Sequence, residues 1–247
     1  MLFHDLTLDA INTRFDEIAS AVINSGRTSD TVDPERSPAA LQDAMHRLVE
    51  ILQLVDQQSN NDDDKPLSED ELNELGDYGI NLLMDFSALA TDLKLTEQSH
   101  EFEDLTLPLA LWLGRRLGHI NTLEPIVNAL ARLANTYSET SELEQLYEVT
   151  QELLETIAPE LKTGQSGSKS SEPWRILLIN QAIIATRSHQ PGLIDSAYET
   201  LTRYIPDEAP NFFKEGMTQM DALNYPQQVR EVVEKYYNLW RLPRTLH

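Results

Sequence analysis

Two acid–histidine pairs have a spacing that could hold a metal ion. Glu97 precedes His100 by three positions, and Asp43 precedes His46 by three. Residues three apart share one face of a helix, and bundles that bind two iron ions use Glu-x-x-His for this reason. With 41 acids and 6 histidines in 247 residues, about one such pair arises by chance. Asp43, His46 and Glu50 also lie opposite an apolar face, so we expect them to be solvated and predict no metal site.

A basic cluster stands out in the acidic first two thirds of the chain. Arg115, Arg116 and His119 would lie on successive turns, where arginine can bind a carboxylate or phosphate through two parallel hydrogen bonds. The alternative is that they end a helix, because C-terminal carbonyl groups favour cations and Gly118 suits a terminus. Helix termination is the favoured interpretation, and the three residues remain candidate binding residues.

A second candidate binding group lies near the C-terminus. Tyr237 is flanked by Arg230 and Arg241, and Tyr236 and Trp240 share its helix. Aromatic residues and arginine dominate the hot spots of protein interfaces, so this group could anchor a partner. The aromatics share their spacing with three valines, at 229, 232 and 233. Packing in the core or in a homodimer is therefore the favoured role, and a homo-oligomer stays open.

Catalytic and cofactor motifs fail on their spacing. The segment 62–66 begins like a calcium loop but lacks the glycine at position six and the glutamate at position twelve. The segment 167–170 lacks the glycine that precedes the lysine of a phosphate loop, and it follows a predicted helix instead of a strand. The chain has no cysteine, which removes thiolate metal sites and cysteine nucleophiles. We predict no catalytic residue and no cofactor, and we favour a non-enzymatic role while an enzymatic one stays open.

Apolar residues recur at steps of three and four along most of the chain, which predicts an all-α protein of about ten helices in antiparallel hairpins. Ser68 followed by Glu71 is a capping-box pattern and predicts a helix start. A second start is predicted at Pro173, because a missing N–H costs nothing in a first turn. The helix after Pro173 is apolar on most sides, so we expect it to be buried. Whether the helices form a regular superhelix or an irregular bundle stays open.

Residues 163–171 are rich in glycine and serine, which predicts a flexible loop between an acidic helical region, 1–162, and a C-terminal region of helical hairpins, 172–247. The alternative is one continuous domain, because hairpins can stack in series. All of the net charge lies in the first region. Residues 1–162 hold 32 acids and 10 Lys and Arg, whereas the remainder holds nine of each.

Part of the chain is similar to helical repeats. Trp174-x-x-Leu177 is similar to the start of the first helix of a tetratricopeptide unit, and Ala197-x-x-x-Leu201-x-x-Tyr204 to its second helix. Arg116, Leu130 and Arg132 recur 71 residues later, about twice the length of one such unit. Residues 105–210 therefore resemble a tetratricopeptide-like or other α-hairpin array, which implies a right-handed superhelix. Leu178 and Gln181 depart from the glycine and tyrosine of the pattern.

A formal charge of −22 favours a basic protein partner and disfavours direct binding to nucleic acid or to anionic membranes. No apolar run is long enough to span a bilayer, and the N-terminus lacks a signal pattern, so we expect a cytoplasmic protein. The preferred hypothesis is a non-enzymatic scaffold that binds a basic segment through an acidic surface or groove. The alternatives are a small-molecule sensor or enzyme with a pocket between helices, and an acidic inhibitor or immunity protein that mimics nucleic acid.

Overall fold

A computed structural model of the chain describes residues 7–26, 37–58, 67–162 and 172–241. These residues form helices and no strand, which confirms the all-α prediction and its number of helices. The eleven helices of the described residues are α1 Leu8–Gly26, α2 Pro38–Gln58, α3 Glu69–Asp92, α4 Thr96–Gly114, α5 Glu124–Thr136, α6 Thr140–Thr156, α7 Pro159–Lys162, α8 Glu172–Arg187, α9 Pro191–Tyr204, α10 Ala209–Ala222 and α11 Gln227–Trp240. Among them, no helix combines the length and apolar character that crossing a bilayer requires.

The chain divides into two compact units. Unit 1 consists of Met1–Arg132 and Glu152–Leu161, and unit 2 of Leu133–Gln151 and Lys162–His247. The division falls inside α5 and α6, so residues 133–151 cluster with the C-terminal helices and not with the acidic region. The predicted loop at 163–171 lies outside the described residues, as does the segment 62–66. The predicted domain boundary there stays a prediction.

In unit 1, α1 to α4 form an antiparallel four-helix bundle in which each helix packs against the next and α4 packs against α1. Gln53 donates a hydrogen bond to Asp9 at 2.6 Å, and His46 lies 2.7 Å from Asp16, so α1 and α2 run in opposite directions. The centre holds the rings of Phe15, Phe86 and Phe102, whose centroids lie 5.0–5.8 Å apart. The four helices thus hide one aromatic cluster.

The predicted start of α3 is confirmed. The Glu71 N–H donates to the Ser68 hydroxyl at 3.3 Å, and the Ser68 N–H donates to the Glu71 carboxylate at 2.8 Å. This reciprocal pair satisfies donors that a helix N-terminus leaves unpaired. Further along α3, a β-carbon at Gly79 would lie 2.8 Å from side-chain carbons of both Leu48 and Leu109. Glycine therefore lets α2, α3 and α4 approach closely at mid-length.

The end of α4 differs in detail from the prediction. The helix ends at Gly114, and Arg115 and Arg116 lie in the turn that follows. Leu117, and not Gly118, takes the left-handed conformation, with a φ of 62°. The Gly118 N–H donates to the Leu113 carbonyl at 3.1 Å, which closes the turn as helix ends commonly do.

In unit 2, α8–α9 and α10–α11 form two hairpins that meet through α9 and α11. Gln228 donates to the His189 carbonyl at 3.4 Å, and Tyr236 donates to the Asp195 carbonyl at 3.2 Å. The start of α11 therefore lies beside the start of α9, so these helices run in the same direction, and so do their partners α10 and α8. The core between the hairpins contains the rings of Tyr198, Phe213 and Tyr236, with centroids 5.0–5.3 Å apart.

Candidate functional site

Arg115 and Arg116 are both bound to carboxylates of their own unit. Arg115 donates to Glu152 through two nitrogens, at 2.7 and 3.2 Å. Arg116 forms an ion pair with Asp56, and its guanidinium lies 4.1 Å from the centroid of the Trp112 ring. These contacts connect the end of α4 to α2 and to α6. An anionic ligand would have to displace these carboxylates, and the predicted binding role stays a prediction.

His119 is held in the same way. Its Nδ1 lies 2.9 Å from Glu69, and its backbone N–H donates to the Asn73 side chain at 2.6 Å. Both partners lie in the first turns of α3. The three basic side chains predicted as one cluster therefore do not act together. Each contacts a carboxylate on a different helix, α6 for Arg115, α2 for Arg116 and α3 for His119.

The C-terminal candidates lie on or beside α11. Arg230 donates to the Asp221 carboxylate at 2.9 Å, to the Tyr225 carbonyl at 3.2 Å and to the Met220 carbonyl. It thereby fixes the turn between α10 and α11. The guanidinium of Arg241 lies 5.9 Å from the ring centroid of Tyr237, which is a loose cation–π contact. Arg230 is thus committed to structure, whereas Tyr237 and Arg241 remain candidates at the end of α11.

A surface on α2 and α3 combines exposed apolar residues with uncompensated acids. We call it the α2–α3 face and define it by Ile51 and Leu54 of α2 and by Glu74, Tyr78 and Asp85 of α3. Ile51, Leu54 and Tyr78 expose 42%, 54% and 48% of their surface. Within the described residues of unit 1, Leu117 is the only other exposed large hydrophobic.

The two helices place these residues near one another. Leu48 and Gly79 touch across the antiparallel α2–α3 pair, and Ile51 follows Leu48 by one helical turn while Tyr78 directly precedes Gly79. All three apolar side chains point away from the buried stripes of their helices, as their exposure shows. Large apolar residues gathered on one surface mark interaction sites more often than isolated ones do.

The acids of this face have no cationic partner among the described residues. Glu74 and Asp85 form neither an ion pair nor a side-chain hydrogen bond there, and neither does Asp92 further along α3. These three acids are spaced by 11 and 7 residues, about three and two helical turns, so they follow one side of α3. Among the described residues, Arg47 of α2 and Lys94 after α3 pair with none of these three acids.

The other arginines of unit 1 that the structure describes neutralise acids elsewhere. Arg14 pairs with Glu17 and Glu101, and Arg132 pairs with Asp104 and Glu103. Burial raises the pKa of the Asp104 carboxyl, while the hydrogen bond from Arg132 lowers it. Arg115 and Arg116 are occupied as described above. The described cations of unit 1 thus leave the carboxylates of the α2–α3 face without a positive partner.

Unit 2 contains a half-open groove of about 440 Å³ between the parallel helices α8 and α10. We call it the α8–α10 groove. It is lined mainly by apolar side chains and is closed at one end by Tyr225 after α10. The lining residues that carry the arguments below are Ile179, Ile183, Arg187, Tyr198, Phe212, Glu215, Met220 and Tyr225.

The polar atoms of the groove floor satisfy one another. Thr186 donates to the Ala182 carbonyl at 2.7 Å, so the Tyr198 hydroxyl, 2.8 Å away, donates to Thr186. Burial raises the pKa of Tyr198 to about 12, with the Thr186 hydrogen bond acting in the opposite direction. The floor is therefore neutral at physiological pH.

The sequence did not predict this groove. It predicted a buried helix after Pro173, and α8 does bury Trp174, Leu177 and Leu178, but Ile176 and Ile183 each expose 39% of their surface. The prediction was wrong at both isoleucines, and at Ile183, which lines the groove, α10 stands beside α8 without covering it. The signal that could have revealed the groove is the pair Ile179 and Ile183, apolar residues beyond those that one buried face requires.

Among the described residues, no group of three or more His, Asp or Glu side chains is arranged to hold a metal ion. His46, from one of the two acid–histidine pairs, contacts Asp16 of α1 instead of completing a metal site with Asp43. Comparisons with protein-family models, with curated proteins and with solved structures find no match to this chain.

Proposed function

We propose that the protein is a non-enzymatic, cytoplasmic binding protein whose α2–α3 face binds a basic, partly apolar helical segment of another protein. The observation that carries the proposal is the position of Ile51, Leu54 and Tyr78 beside carboxylates that have no cationic partner among the described residues. An acidic surface that serves solubility alone needs no exposed apolar residues. A docking surface for an amphipathic helix needs both features.

The apolar residues would supply affinity. A partner helix that places leucine-sized residues one turn apart can cover Ile51, Leu54 and Tyr78 together, and a buried tyrosine is a frequent hot spot. Burial of an apolar side chain contributes about 1.5–3 kcal/mol, before the cost of ordering the partner is subtracted. Three such residues give a modest affinity, which suits a regulated or transient contact.

The carboxylates would supply selectivity and rate. Unit 1 holds 28 Asp and Glu against 9 Lys and Arg, a formal charge of −19, which attracts cationic partners and repels nucleic acid. Exposed charges are screened over about 8–10 Å at physiological salt. The binding should therefore weaken as salt is added, mainly through a lower association rate.

The first test uses a defined probe, a fluorescently labelled amphipathic helix of Leu and Lys, with a Leu and Glu helix of the same length as the control. We expect saturable binding of the Lys peptide, measured by fluorescence anisotropy, with a Kd that rises at least tenfold between low and physiological salt. The Glu peptide should not bind. Equal binding of both peptides, or no dependence on salt, would contradict the proposal.

The second test locates the site with variants of equal charge. The double variant Glu74→Lys, Asp85→Lys should raise the Kd of the Lys peptide by about tenfold or more. Glu155→Lys with Glu160→Lys makes the same change in net charge at exposed positions elsewhere in unit 1, and should have a much smaller effect. Leu54→Ser should also weaken binding, whereas Leu117→Ser should not. If both charge pairs act equally, the peptide responds only to net charge and the site is wrong.

A further inference from the structure

The α8–α10 groove has a charged end and an apolar body. Arg187 ends α8, and because α8 and α10 run in the same direction it lies at the end of the groove that Tyr225 closes. Burial raises the pKa of the Tyr225 hydroxyl, and the nearby positive charge of Arg187 offsets part of that rise. Ile179, Ile183, Phe212 and Met220 line the remainder of the groove.

Arg187 retains hydrogen-bonding capacity. One of its terminal nitrogens donates to the Tyr137 carbonyl at 2.7 Å. Its other guanidinium nitrogens have no partner among the described residues. A guanidinium fixed at one nitrogen and open at the others presents donors of defined direction, which suits a carboxylate.

Glu215 limits where a negative group can bind. Leu223 caps α10 and lines the groove near the end that Tyr225 closes, and Glu215 precedes it by eight residues, about 12 Å along the helix. A carboxylate at Arg187 is therefore kept away from Glu215, and an apolar chain can extend between them. The floor below that chain carries no charge at physiological pH, and both of its hydroxyl donors are in use, since Tyr198 donates to Thr186 and Thr186 donates to the Ala182 carbonyl.

From this arrangement we propose that the α8–α10 groove binds a small amphiphilic carboxylate, with its carboxylate on Arg187 and its alkyl chain on Ile179, Ile183 and Phe212. The volume of about 440 Å³ lies within the range of roughly 300–1,000 Å³ that is typical of small-molecule sites. All lining residues belong to unit 2, so the site is separate from the α2–α3 face. It is a ligand site in addition to the proposed protein-binding function.

The experiment is calorimetric titration of the full-length protein with decanoate below its micellar concentration, and with decyltrimethylammonium, whose alkyl chain is longer by one carbon and whose charge is opposite. We expect saturable binding of decanoate with one site per chain. The cation should bind at least tenfold more weakly. Equal binding of the two probes would overturn the proposal, because the groove would then recognise only the alkyl chain.

Variants locate the site. Arg187→Gln should raise the Kd for decanoate by about tenfold or more. Arg187→Lys should raise that Kd less, since the positive charge is kept. Ile183→Trp should fill the groove and abolish binding. Ile176→Trp is the matched control, because Ile176 lies on the same helix with the same 39% exposure and does not line the groove. The Glu74→Lys and Asp85→Lys variant should bind decanoate normally.

Two results would overturn the proposal even if the Arg187 variants prove unstable. One is an equal loss of affinity in Ile176→Trp and Ile183→Trp, which would indicate general surface adsorption. The other is unchanged binding in Ile183→Trp, with its fold verified by circular dichroism. If decanoate does not bind, but a peptide with apolar side chains binds the wild type and not Ile183→Trp, the groove is a protein-docking site and the small-molecule assignment is wrong.

Discussion

Units 1 and 2 are built by the same physical rule and differ in their outer surfaces. Each buries apolar stripes around an aromatic cluster, which contains Phe86 in unit 1 and Phe213 in unit 2. Unit 1 carries a formal charge of −19, whereas unit 2 holds 13 acids and 10 Lys and Arg, a charge of −3. Unit 1 presents a negative face with exposed apolar residues, and unit 2 presents an apolar groove that ends at a cation.

The comparison shows that helix packing does not determine what the outer surface does. The buried positions are alike in kind because every amphipathic helix must hide one face. The residues outside the stripes are free to differ, and they do so by region. On α3 they include Glu74 and Asp85, which have no cationic partner in the part of the chain that the structure describes, and on α8 they include the exposed Ile183. Function should therefore be sought in these outward residues, and each prediction below tests one difference between the units.

The largest effect should come from removing the centre of either aromatic cluster. Phe86→Ala and Phe213→Ala should each lower the free energy of unfolding by about 3–5 kcal/mol, because each leaves a cavity at a fully buried position. Urea denaturation followed by circular dichroism measures the loss. Hydrogen exchange should show the greatest increase within the unit that carries the substitution. A loss below 1 kcal/mol would mean that the cluster is not packed as described.

The second largest effect should be a loss of folding stability at high pH. It should arise mainly in unit 2, which holds seven of the eight tyrosines. The pKa of Tyr198 is raised to about 12, so the folded state favours the neutral phenol more than the unfolded state does. Its stabilising contribution is complete below about pH 10 and is lost as the pH rises to about 12, a change of about 2–3 kcal/mol.

Thermal unfolding between pH 9 and 12 measures this dependence. Tyr198→Phe should make stability fall less steeply over that interval, and Tyr78→Phe, which alters an exposed ring in unit 1, should leave the slope unchanged. Identical slopes for wild type and Tyr198→Phe would show that the Tyr198 hydroxyl is not buried in the folded protein.

A smaller effect, a gain in folding stability, should follow from replacing Gln181. This side chain is fully buried in α8, and neither its amide oxygen nor its amide nitrogen has a hydrogen-bond partner among the described residues. Gln181→Leu should therefore raise the free energy of unfolding by about 1–2 kcal/mol. Gln57→Leu, at an exposed position of α2, should change it by less than about 0.5 kcal/mol. Destabilisation by Gln181→Leu would mean that a water molecule or ligand satisfies the amide.

The smallest effect concerns the turn after α4. Leu117 has a φ of 62°, a left-handed conformation that costs free energy for a residue with a β-carbon. It exposes 82% of its surface, so burial of its side chain does not offset this cost. Leu117→Gly should stabilise the protein by about 0.5–1 kcal/mol in thermal unfolding. Leu117→Ala removes the same side chain but keeps the β-carbon, so it should give no gain. Equal effects of the two variants would contradict the conformational explanation.

The sequence predicts well what depends on neighbours along the chain. The apolar stripes, the capping box at Ser68 and the helix start near Pro173 all arise from contacts within one or two turns, and the structure confirms them. Features that depend on distant residues were not predicted. The carboxylate partner of Arg115 lies 37 residues away and that of Arg116 lies 60 away.

The candidate sites illustrate the same limit. The exposure of Ile183 depends on whether α10 covers it, and no local pattern encodes that distance. Glu74 and Asp85 were visible in the sequence as acids. That they lack a cationic partner among the described residues could be seen only once the partners of Arg14, Arg116 and Arg132 were known. The similarity to tetratricopeptide units stays a proposal, and the parallel helices α8 and α10 of the two hairpins are consistent with it.

The most direct test of the central claim is an amide chemical-shift map of the protein during titration with the amphipathic Leu and Lys peptide. The account predicts that the largest changes fall on residues 47–54 of α2 and 74–85 of α3, and that they disappear in the Glu74→Lys and Asp85→Lys variant. Changes spread evenly over the acidic surface, or concentrated on α8 and α10, would contradict it.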